Sequence, residues 1–331
     1  MKLRYGLIGC GVIGRKLGET VNAGVDEAEV IVAFDPYRPN MDRFCTDTGA
    51  RPADSLEALL GSDDVDAVIV ASPSNRHREQ TVAAGAAGKH VFCEKPMALS
   101  LTHCNEMIAA CEQADVKLMV GHSMRLYPLT KRLIEIATSG DLGAPLFAFG
   151  SFFFFGFNQR ESGIWHLDRA NSGGLFFHML IHYIDLLNAI MGQARRVQYA
   201  GGRHGQQVHD FDDVGSSTIE FDSGTTAVLT ASSLSRVHWR ETVLLLSKGF
   251  ARLDHSWSYL EYGDADDRLT RVEPRDLPPQ NAFETELRSF ARWVLYDEPP
   301  VFTAKEGRAA VAVAEAAQRA EETGGAVEVE R

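Results

Sequence analysis

Only five cysteines occur in 331 residues, and Cys10, Cys45, Cys93, Cys104 and Cys111 form no C-x-x-C pair, which excludes a disulfide framework and a zinc knuckle. They read as reduced packing thiols. Runs of lysine and arginine are missing, and 33 basic against 45 acidic residues give a formal charge of −12, which would repel a nucleic-acid backbone. Long hydrophobic runs are missing too, since no stretch approaches the roughly 20 apolar residues that a membrane helix needs. The N-terminus runs into an apolar strand that breaks at glycines, without the pattern of a signal peptide, so a cytoplasmic location is expected. Repeats and low-complexity tracts are absent as well. What remains is a globular composition, 45% hydrophobic and 24% charged, with length for about two domains.

The first third alternates β-rich runs (5–8, 30–34, 67–71, 90–93, 118–120) with helical segments (11–23, 55–60, 78–87, 101–114). That alternation predicts a parallel sheet covered by crossover helices. After Gly121 the texture changes. Helices are expected at 128–139, 174–191, 283–296 and 304–322, with an aromatic strand at 145–155. Between 195 and 252 several strands follow one another without helices, and Asp222-Ser223-Gly224 marks a hairpin. The expected fold is therefore an α/β Rossmann dinucleotide-binding domain, 1–122, followed by an α+β domain with a mostly antiparallel open sheet, 123–331.

Gly9-Cys10-Gly11-Val12-Ile13-Gly14 follows the first strand and opens a helix. Such a turn needs glycine for tight bending at Gly9, for approach of a pyrophosphate at Gly11 and for helix–strand packing at Gly14. Asp35 ends the second strand about 20 residues beyond Gly14, where a carboxylate meets adenosine ribose hydroxyls. A carboxylate there repels a 2′-phosphate and favours NAD over NADP, although Arg38 offers a guanidinium that could clamp one. Ser72-Pro73-Ser74-Asn75-Arg76-His77 ends the third main strand, as either a ligand-lining segment or a Pro-containing turn. Glu94-Lys95-Pro96 ends the next strand, with Lys95 either a general acid and hydrogen-bond donor or half of a solvated ion pair. Further on, His178 and His182 are four residues apart in a predicted helix. They lack the internal Glu and third ligand of a zinc site, so no metal is expected, and acid/base work suits imidazole. One of the two could equally be a packed helix residue.

The order Gly9-x-Gly11-x-x-Gly14, Glu94-Lys95-Pro96, 121–128 (GHSMRLYP), and Gly173-Gly174 followed by His182-Tyr183-x-Asp185 resembles the glucose-fructose oxidoreductase and inositol dehydrogenase family across nearly the whole chain. The resemblance implies hydride transfer between nicotinamide and a hydroxyl-bearing carbon of a sugar, cyclitol or related polyol. It implies Lys95 and His182 as the acid/base pair. Gly9, Gly11, Val12, Ile13, Gly14, Asp35, Arg38, Ser72, Pro73, Asn75, His77, Glu94, Lys95 and Trp165 would line the cofactor. Lys95, Arg125, Trp165, His166, His178 and His182 would line the substrate. His178 stands where many members carry an Asp, which makes it a substituted third catalytic member. A homodimer or homotetramer through the C-terminal sheet is also implied. The same residues would serve a redox-neutral, NAD-retaining hydrolase or lyase, and a dinucleotide sensor without catalysis would share the fold. The loop 157–171, with Arg160, Glu161, Asp168 and Arg169, could grip sugar hydroxyls or merely connect elements.

Overall fold

The computed structural model describes residues 2–155, 165–205, 208–266 and 268–331. Contacts divide the chain into two units: Met1–Ser123 with Ala282–Arg308, and most of the remainder.

In the first unit, β1 (Leu3–Ile8), β2 (Ala28–Phe34), β3 (Arg51–Pro52), β4 (Ala67–Val70), β5 (His90–Glu94) and β6 (Leu118–Gly121) form a sheet in the order β3-β2-β1-β4-β5-β6. All neighbours are parallel. Apart from the short, exposed edge strand β3, these strands are rich in valine, isoleucine and leucine, and β4 is buried at every position, as expected of a parallel sheet covered on both faces. Helices α1 (Val12–Gly24), α2 (Arg38–Thr48), α3 (Leu56–Leu60), α4 (His77–Ala86) and α5 (Leu101–Gln113) make the crossovers. Sequence order reverses between β1 and β4, so the turns leaving these two strands flank the crevice where such sheets take ligands. A late helix, α9 (Ala282–Tyr296), returns to this unit. Its Phe290 stacks on Tyr5 at 6.1 Å and meets Phe92 edge-on at 5.9 Å.

The second unit contains α6 (Pro128–Ser139), β7 (Pro145–Phe155), α7 (Arg169–Ser172), α8 (Ile181–Met191) and strands β8 (Ala194–Gly202), β9 (Val214–Phe221), β10 (Thr226–Ser232), β11 (Leu234–Leu246), β12 (Gly249–Asp254), β13 (Leu260–Asp264), β14 (Leu269–Val272) and β15 (Val327–Glu328). Its nine strands run β14-β13-β12-β11-β7-β10-β9-β8-β15, antiparallel throughout except where β7 meets β10. Most of α10 (Ala304–Thr323) also belongs here. Alternation of buried and half-buried residues along β9 and β10 gives the sheet one covered face. α8 packs on that face. Gly150 of β7 makes room for it, because a Cβ there would come within 3.1 Å of the Tyr183 ring.

The stretch Arg169–Met191 is long and apolar enough to cross a membrane by composition alone, which corrects the expectation that no such run exists. Seventy-two per cent of its apolar window is buried inside the protein, however, as in a core helix.

Candidate active site

The glycine turn is built as its spacing predicts. Gly9 has φ +93°, and a Cβ there would lie 2.8 Å from the Ala71 carbonyl and the Ser72 nitrogen, so this turn and the one after β4 touch backbone to backbone. Gly11 is the N-cap of α1 and provides no side-chain cap, and the first turn of α1 carries no acidic residue. Its leading N–H groups point out of the helix end as an anion cradle. Nothing lies within 4 Å of a Cβ built on Gly11, so the space above the turn is open. Asp35 is pinned beside it: Oδ2 accepts the Cys10 N–H at 2.7 Å and Oδ1 the Tyr37 N–H at 2.8 Å. These features fit a dinucleotide, with the pyrophosphate over α1 and a ribose at Asp35. Arg38 is exposed at the first position of α2.

After β4, Ser72 Oγ donates to Gln80 Oε1 at 2.5 Å, Pro73 precedes a 3-10 turn over Ser74–Arg76, and Asn75 is exposed. His77 departs from expectation. Its imidazole is 1% exposed, with Nδ1 2.9 Å from the Pro96 carbonyl oxygen and Nε2 2.9 Å from that of Ser72. It fastens the Ser72 turn to the Lys95-Pro96 turn and presents no side-chain surface to a cofactor, and burial lowers its pKa. Glu94 is enclosed in a similar way. It is buried, and its Oε2 accepts the Lys95 N–H at 3.0 Å. Lys95 itself is half-buried at the carboxyl end of β5. Burial pulls its amine below the ordinary lysine value, and the Glu94 carboxylate opposes that pull.

In the second unit, Gly173 and Gly174 both have φ near +75°, a conformation other residues avoid, and a Cβ on Gly173 would strike Phe177 at 2.5 Å. They reset the chain between α7 and a π-helical turn over Phe176–Leu180, which leads into α8. The expected single helix over 174–191 is thus interrupted, in the kind of bulge often found at functional sites. It carries His178 in the π turn and His182 in the first turn of α8, both half-buried. His166 is 4% exposed and its ring stacks near His178, centroids 6.0 Å apart; burial lowers the His166 pKa. Trp165 begins the 3-10 turn Trp165–Leu167. Arg125, expected to meet substrate, forms an ion pair with Asp185 at 2.8 Å, both side chains largely buried. Asp185 follows His182 by three residues on the same helical face, so this pair anchors the segment that presents the histidine. Sequence reading missed this pairing because nothing in a pattern links positions 60 apart. Arg160 and Glu161 lie outside the described residues.

Comparison with known proteins agrees with this architecture. A family model described as an oxidoreductase family with an NAD-binding Rossmann fold matches residues 3–122, and a GFO/IDH/MocA C-terminal domain model matches 130–252. The 2,7-anhydro-N-acetylneuraminate hydratase of Escherichia coli is 31% identical over 76% of this chain and 68% of its own length. Myo-inositol 2-dehydrogenase of Thermotoga maritima is 28% identical over 99% of both chains. Among solved structures, the WlbA dehydrogenase of Bordetella pertussis, crystallised with NADH and UDP-GlcNAcA, superimposes with a TM-score of 0.87 at 23% identity, covering 100% of both chains. The chain belongs to the GFO/IDH/MocA family of oxidoreductases, enzymes with an NAD-binding Rossmann domain.

Proposed function

We propose that this enzyme transfers hydride between NAD and a secondary hydroxyl-bearing carbon of a sugar, cyclitol or related polyol, with Lys95 and His182 as its acid/base pair. The observation that carries this reading is the placement of Lys95, half-buried just beyond the carboxyl end of β5 with its backbone N–H on the buried Glu94 carboxylate. When bound, the nicotinamide supplies a hydride acceptor. An alcohol gives up hydride more readily as its oxygen gains negative charge, so the Lys95 ammonium donates a hydrogen bond to that oxygen. The His182 imidazole takes the hydroxyl proton. In the reverse direction His182 returns the proton, and the Lys95 ammonium still donates its hydrogen bond to the same oxygen.

Cofactor choice follows from Asp35. Its carboxylate accepts two ribose hydroxyls and repels a 2′-phosphate, so Asp35→Asn should weaken NAD binding by about tenfold, the scale of one lost hydrogen bond to a charged group. The same substitution should narrow the preference for NAD over NADP, as measured by NADH and NADPH fluorescence titration; an unchanged ratio would remove Asp35 from the adenosine site.

His178 is placed by the same reading as a third proton-handling group, stacked near His166. His178→Asn should shift the pH profile of turnover; an unmoved profile with full activity ends that role.

A second reading has its own support, since the Escherichia coli relative is named a hydratase. Such an enzyme would oxidise its substrate transiently and return the hydride. Incubation with NAD and a polyol panel separates the two: a dehydrogenase accumulates one NADH per product, whereas redox-neutral turnover converts substrate with no net NADH.

Assembly through the second sheet completes the proposal. Leu245 pairs with both Phe147 and Phe250 across adjacent strands, and exposed Trp239 and Phe155 extend the same apolar, outward side.

A further inference from the structure

Sealed beneath α9 is a carboxyl that the reaction above does not use. Glu286 lies on the buried side of α9, one turn before Phe290, with no exposed surface. Neither of its oxygens has a hydrogen-bond partner among the described residues. A Cβ built on Gly121 would sit 3.6 Å from Glu286 Oε1, and Gly121 pairs with Glu94 across β5 and β6. The carboxyl therefore sits at the carboxyl ends of these strands, by Glu94, which is itself only 6% exposed.

Among the described residues the elements packed on α9 place no cation in hydrogen-bond contact with Glu286: beside β6, the Lys117 amine is held by Asp297 over the Trp293 ring, and His122, next to Gly121, is buried edge-on to the Phe302 ring. From β1, Tyr5 presents a ring stacked on Phe290; from α1, the Lys16 amine lies over the Phe283 ring at 4.2 Å. From β5 comes the second acid, Glu94, with Lys95 beyond it. The two acids are not equivalent. Glu94 accepts the Lys95 backbone N–H and feels the Lys95 charge, whereas Glu286 has neither advantage. An ionised carboxylate without partners in an apolar interior is strongly disfavoured, and a neighbouring negative charge adds to the penalty.

We propose that Glu286 and Glu94 hold one proton between them, carried on Glu286, and that this sealed acid pair leaves a single negative charge behind the Lys95 amine. Burial and the Glu94 charge both push the Glu286 acid well above the ordinary glutamate value. Burial raises Glu94 as well, but Lys95 opposes it through its charge and its backbone N–H. The trio is then neutral overall: acid, carboxylate and ammonium. Glu286 is a positioning residue, acting on a substrate hydroxyl only through Glu94 and Lys95, and in that sense the inference rests on the role given to Lys95.

Three readouts test it without turnover. Infrared difference spectra of the full-length protein with isotopically labelled glutamate, wild type minus Glu286→Gln, should show the carbonyl band of a protonated glutamate at neutral pH. Acylation of Lys95, followed across pH by mass spectrometry, should show its apparent pKa falling by about one unit or more in Glu94→Gln, the usual size for loss of an adjacent opposite charge. Glu286→Gln, which keeps size and neutrality, should leave that titration in place. The folded pKa of Glu286 is raised above its unfolded value of about 4.3, so its share of stability is present below that pH and is lost as pH rises through the folded value. The thermal midpoint of wild type should therefore fall relative to Glu286→Gln as pH increases. Absence of the acid band in wild type overturns the proposal, and so does a Lys95 titration that moves as far in Glu286→Gln as in Glu94→Gln, or a midpoint difference of the opposite slope. Full turnover by a Lys95 variant would refute the role of Lys95 and leave the acid pair standing.

Discussion

Lys95→Met should lower turnover of a responsive polyol by about 10²–10⁴, the range associated with removing one positioned proton-transfer or charge-stabilising group. Methionine approximates the length of the side chain and suits a desolvated site, so the loss reports the amine and not a cavity. The elements that would hold the dinucleotide phosphates and ribose, the α1 amides and Asp35, are untouched, and NAD titration should show most of the affinity retained. Arginine should rescue little, because a planar guanidinium on a longer stem cannot place one compact charge where the ammonium stood. The pH profile provides a second measurement. If the ammonium is the working form, activity in the oxidising direction falls as pH rises through the Lys95 pKa. Burial has moved that value below the ordinary lysine range of about 10.4. Removing the Glu94 charge should bring the alkaline limb to still lower pH. Wild-type turnover in Lys95→Met, with NAD bound, would sink the assignment.

Much of this was legible in the sequence because local chemistry and fold agree in the first unit. A strand, a glycine turn and a helix lie within the first two dozen residues, and Gly9 and Gly14 each have a steric reason visible in the structure, while Gly11 leaves open space over the helix end. The aromatic strand β7 has the same bounds in sequence and structure. What escaped was decided by tertiary contact. Helix α2 begins Arg38-Pro39-Asn40 and contains Asp and Thr at positions that favour loops; it forms because Met41 and Phe44 are buried three residues apart and Gly49 closes it in a left-handed cap. The edge strands β14 and β15, and β13 beside the first of them, gain their structure from neighbours, not from alternation of their own. Within the site, Lys95 was conspicuous beside Pro96, but Glu286 was not. A glutamate between Thr285 and Leu287 looks like any solvated helix residue until α9 folds it against β5 and β6. His77 erred in the opposite direction: its place in the turn after β4 was read correctly, yet no sequence pattern reveals that two carbonyls enclose its ring.

Gly14→Ala and Gly11→Ala should separate two functions of the same turn. A Cβ on Gly14 would lie 1.8 Å from the Gly9 carbonyl oxygen and 3.2 Å from the Ala71 Cβ. The first contact is with backbone, so no rotamer change relieves it and α1 must shift away from the end of β1. Overpacking of this severity should cost about 3 kcal/mol, the upper part of the usual range, set against a gain of about 1 kcal/mol from alanine's better helix propensity. The net loss of about 2 kcal/mol is readable as a lower midpoint in urea at unchanged slope. NAD affinity should fall too, since the leading amides of α1 no longer converge on one point. Gly11→Ala is the contrast. Gly11 has φ −66°, which alanine adopts freely, and its Cβ would meet nothing within 4 Å. Stability should change by less than about 1 kcal/mol, the scale of an N-cap substitution. The added methyl projects into the open space over the α1 amides, where the pyrophosphate would approach, so NAD binding should fall by at least tenfold, about 1.4 kcal/mol, in a protein that is otherwise intact. Retention of full NAD affinity in Gly11→Ala would mean that the phosphates do not sit over this turn, and the cofactor would have to be placed elsewhere along the carboxyl ends of the parallel strands.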